Sequence, residues 1–219
     1  MDTVGLLTDA STVLSDGENS STENRCIDHE VIQKVLQGEV DAFKVLLYRY
    51  RKRIYGVIYH ITNNHCDAAD LTQDTFLRAF QSLHTFRGKS EFYTWLYRIA
   101  INLVRKQMRR NKVRKFFRFN PISGDALDKC DQQLIQQTMA LNLETDREVI
   151  LEELQRDINI ALGKLSLNHR TAIVLAETEG LTAEAIGKIM GCSAGTVRSR
   201  IHYAKEALKR SLARYMKEL

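Results

Sequence analysis

Residues 181–212, LTAEAIGKIMGCSAGTVRSRIHYAKEALKRSL, decide the fold of the C-terminal part of the chain. Thr182 and Ser193 each precede a stretch of helical periodicity, and a hydroxyl at that position caps a helix by accepting a backbone N–H bond. Gly191, Cys192 and Ser193 form a tight turn between the two stretches. Both stretches carry an apolar stripe, made of Ile186, Ile189, Met190, Val197, Ile201, Ala204 and Leu208. The segment therefore predicts a helix-turn-helix.

The outer face of the second helix is basic. Four side chains fall at positions i, i+4, i+7 and i+11, opposite the apolar stripe: Arg198, His202, Lys205 and Lys209. A recognition helix enters the major groove by its N-terminal end, where Arg198 can reach a guanine edge or a phosphate. A solvated basic face is the ordinary alternative, but two capped helices around a three-residue turn favour double-stranded DNA binding. The predicted contacts are Ser193, Gly195, Thr196, Arg198, Ser199, Arg200, His202, Tyr203 and Lys205.

Composition and charge agree with a helical protein that has a polyanionic partner. Of the 219 residues, 44% are hydrophobic and only one is proline, which suits helices with apolar cores. The formal charge is +5, but residues 1–24 hold five acids and no Lys or Arg, so the rest carries +10. A basic body favours nucleic acid as the partner. We find no signal peptide and no long apolar segment, which predicts a cytoplasmic protein without membrane insertion.

Helical periodicity divides the chain into two small all-α domains joined by a flexible linker. The predicted segments are an acidic, disordered tail (1–27), a four-helix bundle (28–113), the linker (114–146) and the domain with the helix-turn-helix (147–219). The linker contains one predicted helix near 132–141. Asp41 and Asp67 are predicted to cap the second and third helices of the bundle.

The fourth helix of the bundle, predicted to end near Arg110, also has a basic face. Charge is dense at its end, since eight Lys or Arg and no acid lie between Arg105 and Arg118, which suits a phosphate backbone. The loop before it mixes aromatic and basic residues, a combination that suits unstacked bases. Phe92 and Trp95 stand at core spacing, so Phe86 and Tyr93 are predicted to be the exposed aromatics. The predicted contacts are Phe86, Arg87, Gly88, Lys89, Ser90, Tyr93, Arg98, Asn102, Arg105 and Arg109.

The third helix, DAADLTQDTFLRAF over residues 67–80, has an acidic edge. That edge suits a protein partner better than DNA, although a solvated face is an equal alternative on these residues alone. Leu77 and Phe80 are predicted to lie in the core. The candidate partner-binding residues are Asp70, Leu71, Gln73, Asp74 and Phe76.

No candidate catalytic or metal site emerges from the sequence, and no cofactor is predicted. The four cysteines, Cys26, Cys66, Cys130 and Cys192, lie far apart without a CxxC pair, which predicts free thiols in a reducing compartment. His65 next to Cys66 does not have the usual spacing of zinc ligands.

Three motifs in this order resemble the extracytoplasmic-function (ECF) group of bacterial sigma factors, especially its sigma-E branch. DLTQDTFLRAF resembles region 2.2, FRGKSEFYTWLYRIAINL the promoter-melting and −10-reading segment, and GCSAGTVRSRIHYAKEAL the −35 recognition helix. The resemblance covers residues 28–113 as sigma region 2 and 147–219 as sigma region 4.

The resemblance implies a promoter-specificity subunit of RNA polymerase. The helix with Asp70, Gln73 and Asp74 would dock on the β′ clamp helices, and region 4 would lie at the β flap while it reads the −35 element. The loop Phe86–Ser90 would open the −10 element and hold a flipped base, and Asn102 would lie near the non-template strand. The polymerase supplies the chemistry, so no catalytic residue is needed. An anti-sigma factor, often membrane-anchored in this group, is a further implied partner.

Three residues depart from the family pattern. Tyr203 stands where many relatives carry Arg; it cannot form a bidentate fork, so the −35 preference does not carry over. Ser166 replaces a frequent Pro, and Phe80 a frequent Trp.

Two other classes of protein remain as alternatives. A helix-turn-helix regulator that acts without polymerase would need a ligand pocket or dimer interface in the first domain. A nucleic-acid enzyme would need clustered carboxylates or metal ligands, whereas Asp67, Asp70 and Asp74 are better explained as docking groups.

Overall fold

The computed structural model describes residues 16–88, 90–117, 146–213 and 215. Within these ranges the secondary structure consists of α-helices and two short 3-10 turns (Val40–Ala42 and Leu83–Thr85), without a β-strand, which confirms the predicted all-α class. The helices are α1 (Asp16–Leu36), α2 (Phe43–Thr62), α3 (His65–Gln81), α4 (Phe92–Phe117), α5 (Asp146–Lys164), α6 (Leu167–Glu179), α7 (Ala183–Met190) and α8 (Ala194–Ser211).

Side-chain caps fix the start of several helices. The Thr182 and Ser193 hydroxyls accept the N–H groups of Ala185 and Thr196, each at 3.2 Å, which confirms both predicted caps of the helix-turn-helix. The predicted caps in the bundle are wrong. Asn64 caps α3 by accepting the Asp67 N–H at 2.7 Å, because the helix starts two residues earlier. Asp41 lies in a 3-10 turn and forms an ion pair with Lys44 instead.

The helices at the ends of the first domain are longer than predicted. The prediction of a disordered tail over residues 1–27 is wrong from residue 16 onward, because α1 begins at Asp16. Acidic residues near the N-terminus of a helix stabilise it, so the polar composition of this segment was wrongly interpreted as a sign of disorder. The basic helix α4 continues to Phe117 rather than ending near Arg110. The helix predicted near 132–141 lies outside the described residues.

Helices α1–α4 form the N-terminal unit, whose core follows the predicted stripes. The fully buried side chains of α2 include those of Leu46, Ile54, Ile58 and Ile61, and each contributes roughly 1.5–3 kcal/mol through burial. The prediction that Leu77 and Phe80 lie in the core is wrong. Their side chains are 53% and 37% exposed, because their side of α3 lines an open groove beside α2.

Helices α5–α8 form the C-terminal unit, which packs directly on the N-terminal unit. Helix α4 contacts α7, and α2 contacts both α5 and α6. Arg53 forms an ion pair with Glu179 at 2.7 Å, and the Glu179 side chain is only 6% exposed. Arg170 donates to the carbonyl of Ile61 at the end of α2, at 2.7 Å. Sequence periodicity predicts both units but not this interface, because each contact depends on tertiary structure.

Cysteine chemistry differs from the prediction at one position. Cys66 is disulfide-bonded, so the prediction that it is a free thiol is wrong, whereas Cys26 and Cys192 are free. Sequence spacing alone does not show which cysteines meet in a fold.

No group of three or more His, Cys, Asp or Glu side chains is placed to hold a metal ion in the described ranges. Among the helices that the structure describes, none combines the length and apolarity needed to cross a bilayer.

Candidate nucleic-acid interface

Helix α8 presents most of the predicted duplex-DNA contacts on one open surface, here called the recognition face. Its exposed residues are Ser193, Gly195, Thr196, Arg198, Ser199, His202, Tyr203 and Lys205. The buried side of the same helix holds Val197 and Ala204 against α6 and α7. Arg200 differs from the prediction, since it is half-buried and donates to the Cys192 Sγ at 3.3 Å. Arg200 therefore braces the turn between α7 and α8 rather than joining the recognition face.

Two cations of the recognition face are paired with carboxylates of the same unit. Arg198 contacts Glu184 at 2.7 Å, and Lys205 contacts Glu177 at 2.9 Å, with all four side chains more than half exposed. Exposed pairs of this kind contribute about 0–1 kcal/mol each. They can therefore exchange their carboxylate for a phosphate or a base without a large loss.

The tight turn depends on a glycine that sequence reasoning missed. A Cβ added to Gly187 would lie 2.7 Å from the carbonyl oxygen of Cys192, so any other residue would force the turn to shift. The Gly187 carbonyl also accepts the N–H groups of Gly191 and Cys192, and Gly191 has φ +70°. A glycine within a helix as short as α7 indicates in the sequence that another part of the backbone passes close to it.

Tyr203 has a partner outside the recognition helix. Its ring stacks on His169 of α6 with centroids 4.5 Å apart, yet the residue stays 54% exposed. The phenol is thus held in place while its edge remains open to a ligand.

Helix α4 carries the second basic face. Arg98, Asn102 and Arg109 are exposed, and neither arginine forms an ion pair with any carboxylate in the described ranges. Arg105 differs from the prediction, because it is half-buried under the C-terminal unit and donates to the Met190 carbonyl at 3.2 Å. Burial, and then the nearby Arg200 guanidinium, lower the pKa of Arg105. Two like charges thus face each other where the units meet.

The loop before α4 forms a polar pocket of about 310 Å³. Phe86 and Tyr93 are half-buried, so the prediction that they are exposed is wrong: Phe86 lies 5.7 Å from Phe92 and 5.5 Å from Trp95 between ring centroids. The remaining predicted loop residues, Arg87, Gly88 and Ser90, line the pocket. Lys89 lies outside the described residues.

Helix α1 supplies the other wall of this pocket, which sequence reasoning missed. Arg25 and His29 line it, and Arg25 pairs with Glu91 at 3.3 Å. Asp28 anchors α1 to α2, because its buried carboxylate accepts hydrogen bonds from Arg49 and from the Tyr50 hydroxyl. Burial, and then the Asp28 carboxylate, raise the pKa of Tyr50, so its hydroxyl stays a donor.

The acidic edge of α3 borders an apolar groove between α2 and α3, here called the α2–α3 groove. Asp70, Gln73 and Asp74 are exposed, whereas Leu71 and Phe76 are only 6% and 5% exposed. The groove has a volume of about 610 Å³. Its further lining includes Phe43, Leu47, Arg51, Leu77 and Phe80. Leu77 and Phe80, which were predicted to lie in the core, are therefore part of the apolar lining of a surface groove.

Two family profiles match the chain. "Sigma-70 region 2" matches residues 46–114 and "Sigma-70, region 4" matches residues 161–210. The RNA polymerase sigma-H factor of Pseudomonas aeruginosa is 34% identical over 87% of this chain and 96% of its own length. The ECF RNA polymerase sigma-E factor of Haemophilus influenzae is 34% identical over 84% of this chain and 95% of its own.

Two solved complexes contain a chain with a similar fold. The sigma factor RpoE in complex with the anti-sigma factor NepR from Bartonella quintana has a TM-score of 0.59 at 25% identity, covering 78% of this chain and 96% of that one. CnrH in complex with the cytosolic domain of CnrY has a TM-score of 0.61 at 23% identity, covering 85% and 97%.

Proposed function

The chain belongs to the ECF group of RNA polymerase sigma factors, and we propose that three of its surfaces divide the work of promoter-specific initiation. The α2–α3 groove binds core polymerase, α4 with its preceding loop binds the −10 element, and the recognition face of α8 reads the −35 element. The observation that carries this division is the presence, on one chain, of an acid-edged apolar groove and two separate basic helix faces. The proposed bounds are region 2 over 28–113 and region 4 over 147–219, which leave the first part of α1 and the end of α4 outside region 2.

Docking on polymerase uses apolar area with charge at its rim. The exposed carboxylates of Asp70 and Asp74 steer a basic partner, such as the β′ clamp helices, and the apolar lining of the groove supplies contact area. Leu71 and Phe76 contribute indirectly, because their buried side chains pack in the core and hold α3 in position.

Recognition of the −10 element combines a pocket with cations. The 310 Å³ pocket beside the loop is large enough for one flipped base. The exposed side chains of Arg98, Asn102 and Arg109 on α4 would contact the DNA backbone. Region 4 reads the −35 duplex through Arg198 and Ser199, and contacts the β flap of the polymerase.

Simultaneous binding of both elements requires the two units to separate. The elements lie about 25 base pairs apart, hence about 85 Å at 3.4 Å per pair. A packed chain of this length has a radius of gyration of only about 17 Å. In the packed arrangement Arg105 is also occupied by the Met190 carbonyl. Opening would release Arg105 for DNA and relieve its repulsion with Arg200.

An anti-sigma factor is the partner that we propose for the packed arrangement, because one structural neighbour is a sigma factor in complex with an anti-sigma factor. Anti-sigma factors of the ECF group are often anchored in the membrane, and this expectation concerns the anti-sigma factor rather than the present chain. Since its partners are polymerase and DNA, we place the chain in the cytoplasm, with no enzymatic activity of its own. A regulator that acts without polymerase is not favoured, because it leaves the α2–α3 groove without a role.

The test is in vitro transcription with core polymerase, with and without this chain, followed by sequencing of the start sites. The chain should create initiation at a defined set of promoters. If start sites are the same with and without the chain, the proposed function is wrong.

A further inference from the structure

Tyr203 of the recognition face and His169 of α6 form an aromatic stack that has no role in the division of work above. The two ring centroids lie 4.5 Å apart at an interplanar angle of 27°, which is a stacked rather than an edge-on arrangement. Tyr203 shares its side of α8 with Ser199 and Thr196, which lie one and two turns nearer the N-terminal end, and all three residues are exposed. The stack therefore borders the surface that would face the DNA.

His169 is itself held in place by one hydroxyl. The Ser166 Oγ lies 2.8 Å from the His169 Nδ1 and also caps α6 by accepting the His169 N–H at 3.4 Å. A single hydroxyl can serve both bonds, because its oxygen accepts the N–H while its O–H donates to the ring nitrogen. The backbone and the ring of His169 are thus fixed to the start of α6. Ser166 and Tyr203, two of the residues that depart from the family pattern, are joined through His169.

The stack restricts Tyr203, whereas the cations beside it have flexible side chains. A tyrosine side chain has only two rotatable torsions, and here His169 covers one side of the ring while more than half of the residue stays exposed. Arg198 and Lys205 have longer side chains, and each must leave a carboxylate before it binds DNA. A side chain that is already ordered loses little conformational entropy on binding, so its contact depends closely on the shape of the partner.

The chemistry of a fixed phenol favours one base. Its single hydroxyl cannot hold guanine by the paired hydrogen bonds that an arginine forms there. Its ring is apolar, and thymine is the base that presents a methyl group in the major groove for apolar contact. We infer that His169, held by Ser166, positions the Tyr203 ring against a thymine methyl group in the −35 duplex. This inference rests on the proposed function and makes His169 a positioning residue without a DNA contact of its own.

The experiment isolates the methyl group. Holoenzyme formed with the full chain first selects its preferred −35 element from promoter duplexes in which that element is randomised. Each thymine of either strand is then replaced by deoxyuridine, which lacks only the methyl group, and competition binding gives the ratio of the two affinities. The wild-type chain should bind thymine about fourfold more tightly than deoxyuridine at one position, as expected from the burial of one methyl group.

The variants assign this ratio to the stack. Tyr203→Ala should abolish the difference between thymine and deoxyuridine, and Tyr203→Phe should keep it, because the ring makes the contact. His169→Ala should lower the ratio to about half, whereas His169→Phe should keep most of it, since a ring remains for stacking. In the Tyr203→Ala background, His169→Ala should have no further effect on the ratio.

Two further variants test the support of His169 and the specificity of the effect. Ser166→Gly removes the hydroxyl at a cap position where glycine is tolerated, and its ratio should lie between those of the wild type and His169→Ala. An unchanged ratio would remove Ser166 from the inference. Asn168→Ala changes an exposed neighbour in the same turn of α6 and, as the control, should keep the wild-type ratio.

A preference for thymine over deoxyuridine that persists in Tyr203→Ala would overturn the inference. Equal weakening on both duplexes would do the same, because it indicates a phosphate contact, and a wild-type ratio in His169→Ala would show that the stack does not position the phenol. Circular dichroism melting identifies a variant that does not fold, and His169→Gln then replaces His169→Ala with the same expected ratio. Wild-type initiation decides the proposed function separately: if start sites are defined but thymine and deoxyuridine bind equally at every position, only this inference fails.

Discussion

The N-terminal and C-terminal units use their charges in opposite ways. The C-terminal unit has one basic helix, α8, whose Arg198 and Lys205 are already paired with carboxylates. The N-terminal unit has a basic helix, α4, whose exposed arginines have no such partner in the described ranges, and an acidic edge on α3 that faces elsewhere.

The difference indicates two kinds of DNA contact. A cation that already holds a carboxylate must release it to bind DNA. Its net free energy of binding therefore depends on how well it fits a base edge, and this dependence gives sequence specificity. Uncompensated cations gain from any phosphate and release counterions, so their binding depends on salt rather than sequence. Under the proposed function, the separation of acids from cations within the N-terminal unit would let it bind polymerase and DNA with different faces.

Reversing the acidic edge of α3 tests the protein-binding face and has the largest expected effect. Asp70→Arg with Asp74→Arg should weaken binding to core polymerase by more than about 100-fold, because like charges at an interface cost several kcal/mol. Fluorescence anisotropy with labelled core polymerase measures it. Glu39→Arg with Asp41→Arg changes two exposed acids just before α2; this control should bind normally. Normal binding by the test variant would remove α3 from the docking surface.

Arg198→Ala tests the specific contact on the recognition face. Loss of one base contact should weaken binding to a −35 duplex by roughly 1–3 kcal/mol, about 5- to 150-fold. Arg98→Ala should instead lower the salt slope by about 0.7 on a promoter bubble, with little dependence on sequence. Glu184→Gln frees Arg198 without removing it and should leave −35 binding intact. The contrast between the units fails if Arg198→Ala and Arg98→Ala give the same pattern.

Gly187→Ala tests whether the tight turn shapes the recognition face. The new methyl would meet the Cys192 carbonyl at 2.7 Å, and overpacking of this kind costs about 1–3 kcal/mol, offset by up to about 1 kcal/mol of helix propensity. The free energy of unfolding should fall and −35 binding should weaken, while core polymerase binding remains. Gly163→Ala is the matched control, since an added Cβ there meets nothing within 4 Å. Equal behaviour of the two variants would contradict the steric argument.

Local patterns allowed much of the C-terminal unit to be predicted. The caps Thr182 and Ser193 and the apolar stripes depend on residues close in sequence, so periodicity and hydroxyl chemistry were enough. The predicted cap Asp67 was wrong, because Asn64, three residues earlier and directly before the helix, offers an equally good oxygen.

The features that sequence reading missed all depend on tertiary structure. Leu77 and Phe80 have core periodicity, yet their side of α3 meets no further helix and lines a groove. Arg105 fits a DNA-binding stripe by spacing, yet the other unit supplies its partner. The disulfide of Cys66 and the ion pair between Arg53 and Glu179 join residues whose proximity no spacing shows.

Glu179→Gln tests the contact that joins the two units. The Glu179 carboxylate is nearly buried and Arg53 is half exposed, so losing its charge should cost about 1–2 kcal/mol of packing between the units. Small-angle scattering should show a larger radius of gyration, and core polymerase binding should become faster because the chain opens more readily. The charge swap Arg53→Glu with Glu179→Arg should restore compaction. An unchanged radius in Glu179→Gln would show that the pair does not hold the units together.

His60 gives the same interface a weak dependence on pH. Burial lowers the pKa of His60 below its usual 6.5, an effect that Asn159 of α5 partly offsets. The unfolded chain therefore takes up the proton first as pH falls, so stability is complete above about pH 6.5 and declines below it toward the folded pKa. Chemical denaturation at pH 7.5 and about pH 5.5, above the range of most carboxylates, measures the decline. His60→Gln removes the titrating ring and should flatten this part of the profile. An equal slope in that variant would assign the pH dependence to another group and leave the contact of α2 with α5 insensitive to protonation.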